Sequence, residues 1–269
     1  MNKTNFHMHT TWCDGKNSPE DMIRAAVAKG FSSVGFSSHA MLPMGEPGNL
    51  SPETAPCYFK EIRALAAKWK DKINVLCGVE ADYIPGASVP DRRSYAHLAP
   101  DYVIGSIHNV VKDGKRCPVD HAPSILENGI AELFGGDSKA FVCDYFAQER
   151  EMVARFDFDV VGHPDLVRKF NLKHPYFDET ASWYQEELRL TADAIAASGK
   201  IVEVNTGAIS RGWLTDAYPS PFFRQLLRER GVKFILSSDA HSADAIDCAF
   251  DRFSDAENYV SPPWLGKVG

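Results

Sequence analysis

His7 and His9 stand two residues apart in the apolar stretch Phe6-His7-Met8-His9. On an extended strand such residues share a face, so the two imidazoles point the same way and can grip one cation. The same spacing recurs late in the chain, in Asp239-Ala240-His241. Between these pairs, single ionisable residues follow short apolar runs: His39 after Phe36-Ser37-Ser38, Glu80 after Gly78-Val79, His108 after Gly105-Ser106-Ile107 and His163 after Val161-Gly162. Neutral imidazole with carboxylate suits zinc, manganese or iron, and the lack of cysteine in these motifs argues against a thiolate structural site. Gathering this many ionisable groups in one place without a metal would cost several kcal/mol. The residue types therefore predict a centre of divalent transition metal ions. Asp14, just beyond the first pair, is a further ligand candidate, although Asp before Gly15 also suits a tight turn. Arg168 and Arg211 have the fork geometry that holds an anion's oxygens bidentately. His97, His121 and His174 follow no such run and read as surface or packing residues.

The elements that must position these groups are legible as seven apolar runs, over residues 5–8, 33–37, 74–79, 102–107, 158–161, 201–204 and 233–237. Their near-continuous apolar character suits strands buried on both faces, as in a parallel sheet. Helix signals lie between them. Ser18-Pro19 opens a segment closed by Gly30, and Ser220-Pro221 opens one closed by Gly231, each with a cap, then Pro, then a terminating Gly. Ser51-Pro52 opens a third, and residues 178–199 read as one long helix with Leu188, Ala192, Ile195 and Ala196 on one side. Residues 82–100 and 111–137 read as long loops lining a site. Repeated strand–helix units give either a doubly wound sheet or a closed barrel, which periodicity alone does not separate. Ligands on many strand ends meet only where those ends share a face, as at the rim of a βα barrel.

At 269 residues, with 44% hydrophobic and 24% charged, the chain fits one large core, and a single domain over 1–269 is expected. Lys+Arg 29 against Asp+Glu 36 gives a net charge of −7, which argues against a broad nucleic-acid footprint. No run approaches the ~18 apolar residues of a membrane span, and the N-terminus lacks a signal-like segment, so the expectation is a cytoplasmic protein. The six cysteines are scattered and form no CxxC pair, which predicts reduced packing residues.

Together, His7-Met8-His9-Thr10, Asp14-Gly15, Gly35-Phe36-Ser37-Ser38-His39, Gly78-Val79-Glu80-Ala81-Asp82-Tyr83, Gly105-Ser106-Ile107-His108, the segment from Gly162-His163-Pro164-Asp165 to Arg168-Lys169, and Ser238-Asp239-Ala240-His241 resemble the motifs of the polymerase and histidinol phosphatase (PHP) family, in particular its histidinol-phosphate phosphatases. The resemblance implies an α/β fold, a distorted (β/α)7 TIM-like barrel with the metal site at the C-terminal ends of the strands. It implies two or three divalent ions (Zn, Mn or Fe). His7, His9, Glu80 and Asp239 would hold one, Glu80 would bridge to a second held by His108 and His163, and Asp14, His39 and His241 would hold a third. Where some relatives place histidine after the first strand, this chain has Asp14. The catalytic residues would be Glu80, Asp239 and His241, and the nucleophile a water activated by the ions. Arg168, Arg211 and Asn205 would contact a small phosphate ester, expected to be L-histidinol phosphate. The alternatives are another phosphate ester such as a nucleotide, or an amidohydrolase, whose barrels usually carry lysine where Glu80 stands here.

Overall fold

The computed structural model describes residues 3–253 and 259–266. Its strands are β1 (Thr4–Asn5), β2 (Ser33–Phe36), β3 (Asn74–Cys77), β4 (Val79–Asp82), β5 (Val103–Ser106), β6 (Asn109–Lys112), β7 (Lys115–Pro118), β8 (Val160–Val161), β9 (Ile201–Asn205) and β10 (Phe234–Ser237). All pairings are parallel except β6 with β7. β1-β2-β3 form one sheet and β4-β5-β8-β9-β10 a second. Gly78 alone separates β3 from β4, so the run expected as one strand is two short ones with a bend. A Cβ on Gly78 would sit 2.6 Å from the Tyr102 ring, so only glycine lets the strand pass that ring. A bridge from His39 to Glu80 joins the end of β2 to β4, and one from Met8 to Ala240 brings the chain after β1 beside the chain after β10. The result is seven strand positions around a distorted TIM-like barrel.

The helices are α1 (Pro19–Ala28), α2 (Ala55–Trp69), α3 (Pro123–Phe134), α4 (Ser138–Arg155), α5 (Ser182–Ser198), α6 (Gly207–Ser210) and α7 (Pro221–Glu229). Ser18 caps α1 by accepting from the Asp21 N–H, as its position before Pro19 predicts. The long α5 begins at Ser182 rather than 178, after a turn in which Asp178 accepts from Thr180. The segment at Ser51 forms a turn, and α2 starts at Ala55. Residues 111–137 are not one loop. They hold most of the β6–β7 hairpin, turned on Asp113 and Gly114 with φ of 50° and 73°, and then α3. Residues 82–100 include a 3-10 helix, Arg92–Leu98.

Two apolar layers follow. The larger one packs helices onto the outside of the strands. The smaller one joins Phe6, Leu76, Tyr102, Ile104, Val160 and Ile235, with Trp264 stacked on Tyr102 at 5.5 Å. The Tyr102 hydroxyl donates within 2.7 Å of the Phe6 carbonyl and 3.1 Å of the Phe36 carbonyl, tying the ends of β1 and β2 together. No helix of the described residues is long and apolar enough to cross a membrane.

Candidate metal centre

The strand ends bring His7, His9, Asp14, His39, Glu80, His108, His163, Asp239 and His241 together. Their ligand atoms fall into four overlapping groups, each within 4.8 Å: His9, Asp14, His39 and His241; His7, His9 and Asp239; His7, Glu80 and His163; His39, Glu80 and His108. The four atoms expected around one ion are close. His7 Nε2 lies 3.1 Å from Glu80 Oε2 and 3.7 Å from Asp239 Oδ1, and His9 Nε2 lies 3.5 and 3.2 Å from the same two oxygens. His163 Nε2 and His108 Nε2 face the other oxygen of Glu80 at 2.9 and 3.4 Å. Asp14 Oδ2 meets His241 Nε2 at 3.0 Å, and Asp14 Oδ1 is 3.8 Å from His39 Nε2.

These atoms meet a structural criterion for a candidate cation site. His7 Nε2, His9 Nε2 and Glu80 Oε2 are sealed from solvent and lack a hydrogen-bond partner among the described residues although they face one another. Lone-pair atoms converging in that way at a buried point leave an unsatisfied arrangement unless a cation accepts them. The imidazole and carboxylate donors match zinc, manganese or iron. The fit is therefore good. Asp239 is held at φ 49°, a left-handed conformation uncommon outside glycine, and such strain concentrates where surrounding structure over-determines a functional side chain.

Supporting residues orient the ligands. Glu203, on β9, accepts from His7 Nδ1 at 2.9 and 3.1 Å, the His163 backbone N–H at 2.8 Å, Asn205 Nδ2 at 2.8 Å and the Ser237 hydroxyl at 2.6 Å. Asp82 lies 2.6 Å from His108 Nδ1, and Ser106 donates to Glu80 at 2.7 Å. Each such bond fixes which imidazole nitrogen faces inward. Neither Glu203 nor Asp82 was expected as part of the site. The clue for Glu203 was an acid in the middle of the apolar run Ile201-Val202-Glu203-Val204.

The electrostatics follow from burial set against crowded charge. Burial, with His241 and His39 beside it, lowers His9 to about 3. Burial opposes the charge of His108, yet Asp82 and Glu80 raise it to about 10. His7 is likewise raised against burial, by Glu203, Glu80 and Asp239. Burial would lift Glu80 and Asp239, but both are held well below the ordinary carboxylate range, Glu80 by His7, His108 and His39, and Asp239 chiefly by Arg211 and His7. The shifts run in opposite directions because His7 and His108 face carboxylates most closely, whereas His9 is buried beside the imidazoles of His39 and His241.

A cavity of about 610 Å³ opens above the cluster. Arg211 lines it, with Nη2 2.7 Å from Asp239 Oδ2 and Nη1 3.1 Å from the Asp239 carbonyl. Lys169 also lines it, 3.1 Å from Asp120. Arg168 is not among the lining residues. Its Nε binds Glu179 at 2.9 Å and lies 3.9 Å from Asp165, so the short 3-10 turn at Leu166–Arg168 sends Arg168 behind the wall and its neighbour Lys169 into the cavity. Asn205 is fully buried, spanning Glu203 and the Gly207 N–H, and it too lies off the cavity wall. His121, which reads in the sequence as a surface or packing residue, lines the cavity. A Cβ on Gly207 would come 2.6 Å from Arg211 Nη2 and 2.9 Å from Asp239 Oδ2, so glycine makes room for that contact.

A family model described as the PHP domain matches residues 5–207. The chain belongs to the PHP family. This PHP chain is 30% identical over 237 residues to a Schizosaccharomyces pombe protein named "Probable histidinol-phosphatase", covering 82% of this chain and 74% of the relative. Among solved structures, HisK of Listeria monocytogenes superposes with a TM-score of 0.83 at 19% identity, covering 93% of this chain and 100% of that one. Histidinol phosphate phosphatase from Lactococcus lactis, solved with zinc, L-histidinol and phosphate, superposes with a TM-score of 0.61 at 22% identity, covering 90% of this chain and 87% of that one. These likenesses carry the PHP barrel fold.

Proposed function

We propose that this PHP chain, acting as one barrel domain over 1–269, is a metal-dependent phosphoric monoester hydrolase that converts L-histidinol phosphate to L-histidinol and phosphate. The observation that carries the reading is the convergence of sealed ligand atoms without hydrogen-bond partners on Glu80 Oε2, beside a cavity whose lining includes the cations Lys115, Arg116, Lys169 and Arg211. The names of the Schizosaccharomyces pombe and Lactococcus lactis relatives support the substrate class. His7, His9, Glu80 and Asp239 would hold one ion, Glu80, His108 and His163 a second, and Asp14, His39 and His241 a third. When bound, such ions supply Lewis acidity and lower the pKa of a coordinated water to near 7, roughly, giving a nucleophile at neutral pH.

The chain's own groups do the rest. Arg211 is kept charged against burial by Asp239, and it presents its guanidinium to the phosphoryl oxygens beside the cluster. Lys169 adds a second positive group on the same wall. Glu203 and Asp82 accept at Nδ1 of His7 and His108 and so turn Nε2 of each ring toward the cluster. The deciding assay is phosphate release from L-histidinol phosphate beside nucleotides and sugar phosphates, on protein supplied with zinc, manganese or iron. Preference for L-histidinol phosphate is the expected result, and turnover of nucleotides alone would replace that substrate while keeping the hydrolase.

A further inference from the structure

The cavity is far larger than a phosphate group, so its outer half must receive the alcohol part of an ester. Six carboxylates line it: Asp14, Glu46, Glu80, Asp82, Asp120 and Asp239. Asp14, Glu80 and Asp239 face the histidines of the cluster. Asp82 is engaged by His108 and Asp120 by Lys169. Glu46 remains, on the segment between β2 and α2, and it belongs to none of the four ligand groups. Its Oε2 accepts from Arg116 Nη1 at 2.8 Å, and Arg116, which also lines the cavity, belongs to β7 of the hairpin. Both side chains are about one-third exposed, at 27% and 34%, so the pair borders water rather than the sealed interior. Glu46 Oε1 has no hydrogen-bond partner among the described residues.

From this inventory we infer that Glu46, held in place by Arg116, selects phosphate esters whose alcohol carries a positive charge, such as an ammonium group. The inference rests on the hydrolase reading and names the chemical class that its substrate pocket prefers. An ammonium at Glu46 Oε1 gains a charge-assisted hydrogen bond from a carboxylate whose other oxygen is already fixed, so little side-chain freedom is lost on binding. An alcohol bearing a carboxylate would meet the like charge of Glu46, while Arg116 is already occupied. Specificity then comes from attraction to one class and repulsion of the other.

The test compares kcat and KM for phosphoethanolamine (ammonium), glycerol phosphate (neutral) and 3-phosphoglycerate (carboxylate) on metal-loaded enzyme. The expected result is a preference for the ammonium ester. In Glu46→Gln the ratio of kcat/KM for the ammonium ester over the neutral one should fall by about ten- to a hundredfold, the range of a charged hydrogen bond, mostly through KM. Glu46→Lys should turn the preference toward the carboxylate ester. Metal content and circular dichroism on each variant separate this from misfolding. A wild-type preference for the carboxylate ester, or an equal loss on all three esters in Glu46→Gln, would overturn the assignment. If no ester is turned over, the hydrolase reading fails separately, and calorimetric binding of the same three esters still decides the role of Glu46: equal affinities would reject it.

Discussion

Glu203 reaches His7 Nδ1 with both of its carboxylate oxygens, at 2.9 and 3.1 Å, while also accepting the backbone N–H of His163. One acid on β9 thereby sets the orientation of a histidine after β1 and the backbone of another after β8. Glu203→Gln should keep the fold but lower metal affinity about ten- to a hundredfold, as loss of such orienting partners does elsewhere. Metal titration against a chelator checks it, and added metal should restore activity. Unchanged affinity would remove Glu203 from this role.

His9 takes part in two of the ligand groups. His9→Ala should remove metal and activity together, with the circular dichroism of the barrel retained. Full activity with unchanged metal content would overturn the ligand assignment.

Chelation of the wild-type protein should lower its melting temperature, because an ion that binds only the folded state stabilises by mass action, about 2.7 kcal/mol at a hundredfold excess over Kd. Scanning calorimetry with and without chelator reads it directly, and an identical transition in both would contradict a structural share for the ions.

Glu149 on α4 is fully buried with no hydrogen-bond partner at either oxygen, and burial, then the nearby charge of Asp165, raises its pKa well above the ordinary value of 4.5. Between those two values the folded protein holds a proton that the unfolded chain has released. Stability from this group is therefore present at acid pH and falls as pH rises from about 4.5 toward the raised value. In Glu149→Gln the decline should flatten, so urea midpoints of the variant and wild type should converge at pH 5 and separate at pH 8, with the variant higher. Parallel pH profiles would reject this account.

Arg168 and Lys169 should separate cleanly. Arg168→Ala breaks the buried contacts with Glu179 and Asp165 and should cost about 3 kcal/mol of stability, read in the denaturation midpoint. Lys169→Ala should instead raise KM for phosphate esters and weaken inhibition by inorganic phosphate. The reverse pattern would return Arg168 to the phosphate.

The strand ends were legible because ligand chemistry and apolar runs coincide: His39, Glu80, His108 and His163 each follow one directly. The hairpin was readable in principle, since Asp113-Gly114 between Val110-Val111 and Cys117 is a tight-turn signature. It was lost inside a stretch treated as loop. Arg168 stands off the cavity lining for a different reason. Within a 3-10 turn, adjacent side chains diverge, and only the packing of Glu179 and Asp165 decides which of Arg168 and Lys169 faces the cavity. Glu203 and Asp82 act through other residues, and no local spacing reveals a partner 196 positions away.

Phe6 packs in the smaller apolar layer with Tyr102 and Trp264, and the very next residue, His7, reaches the candidate metal centre. Adjacent side chains on this segment thus serve an apolar layer and a ligand cluster. Adding or deleting one residue between Asn5 and His9 would exchange those assignments, driving an imidazole toward Trp264 and a phenyl ring toward Glu80. In an insertion scan of the gene, these few codons should form a stretch with no survivors, while single insertions at the exposed Asp113-Gly114 hairpin tip are tolerated.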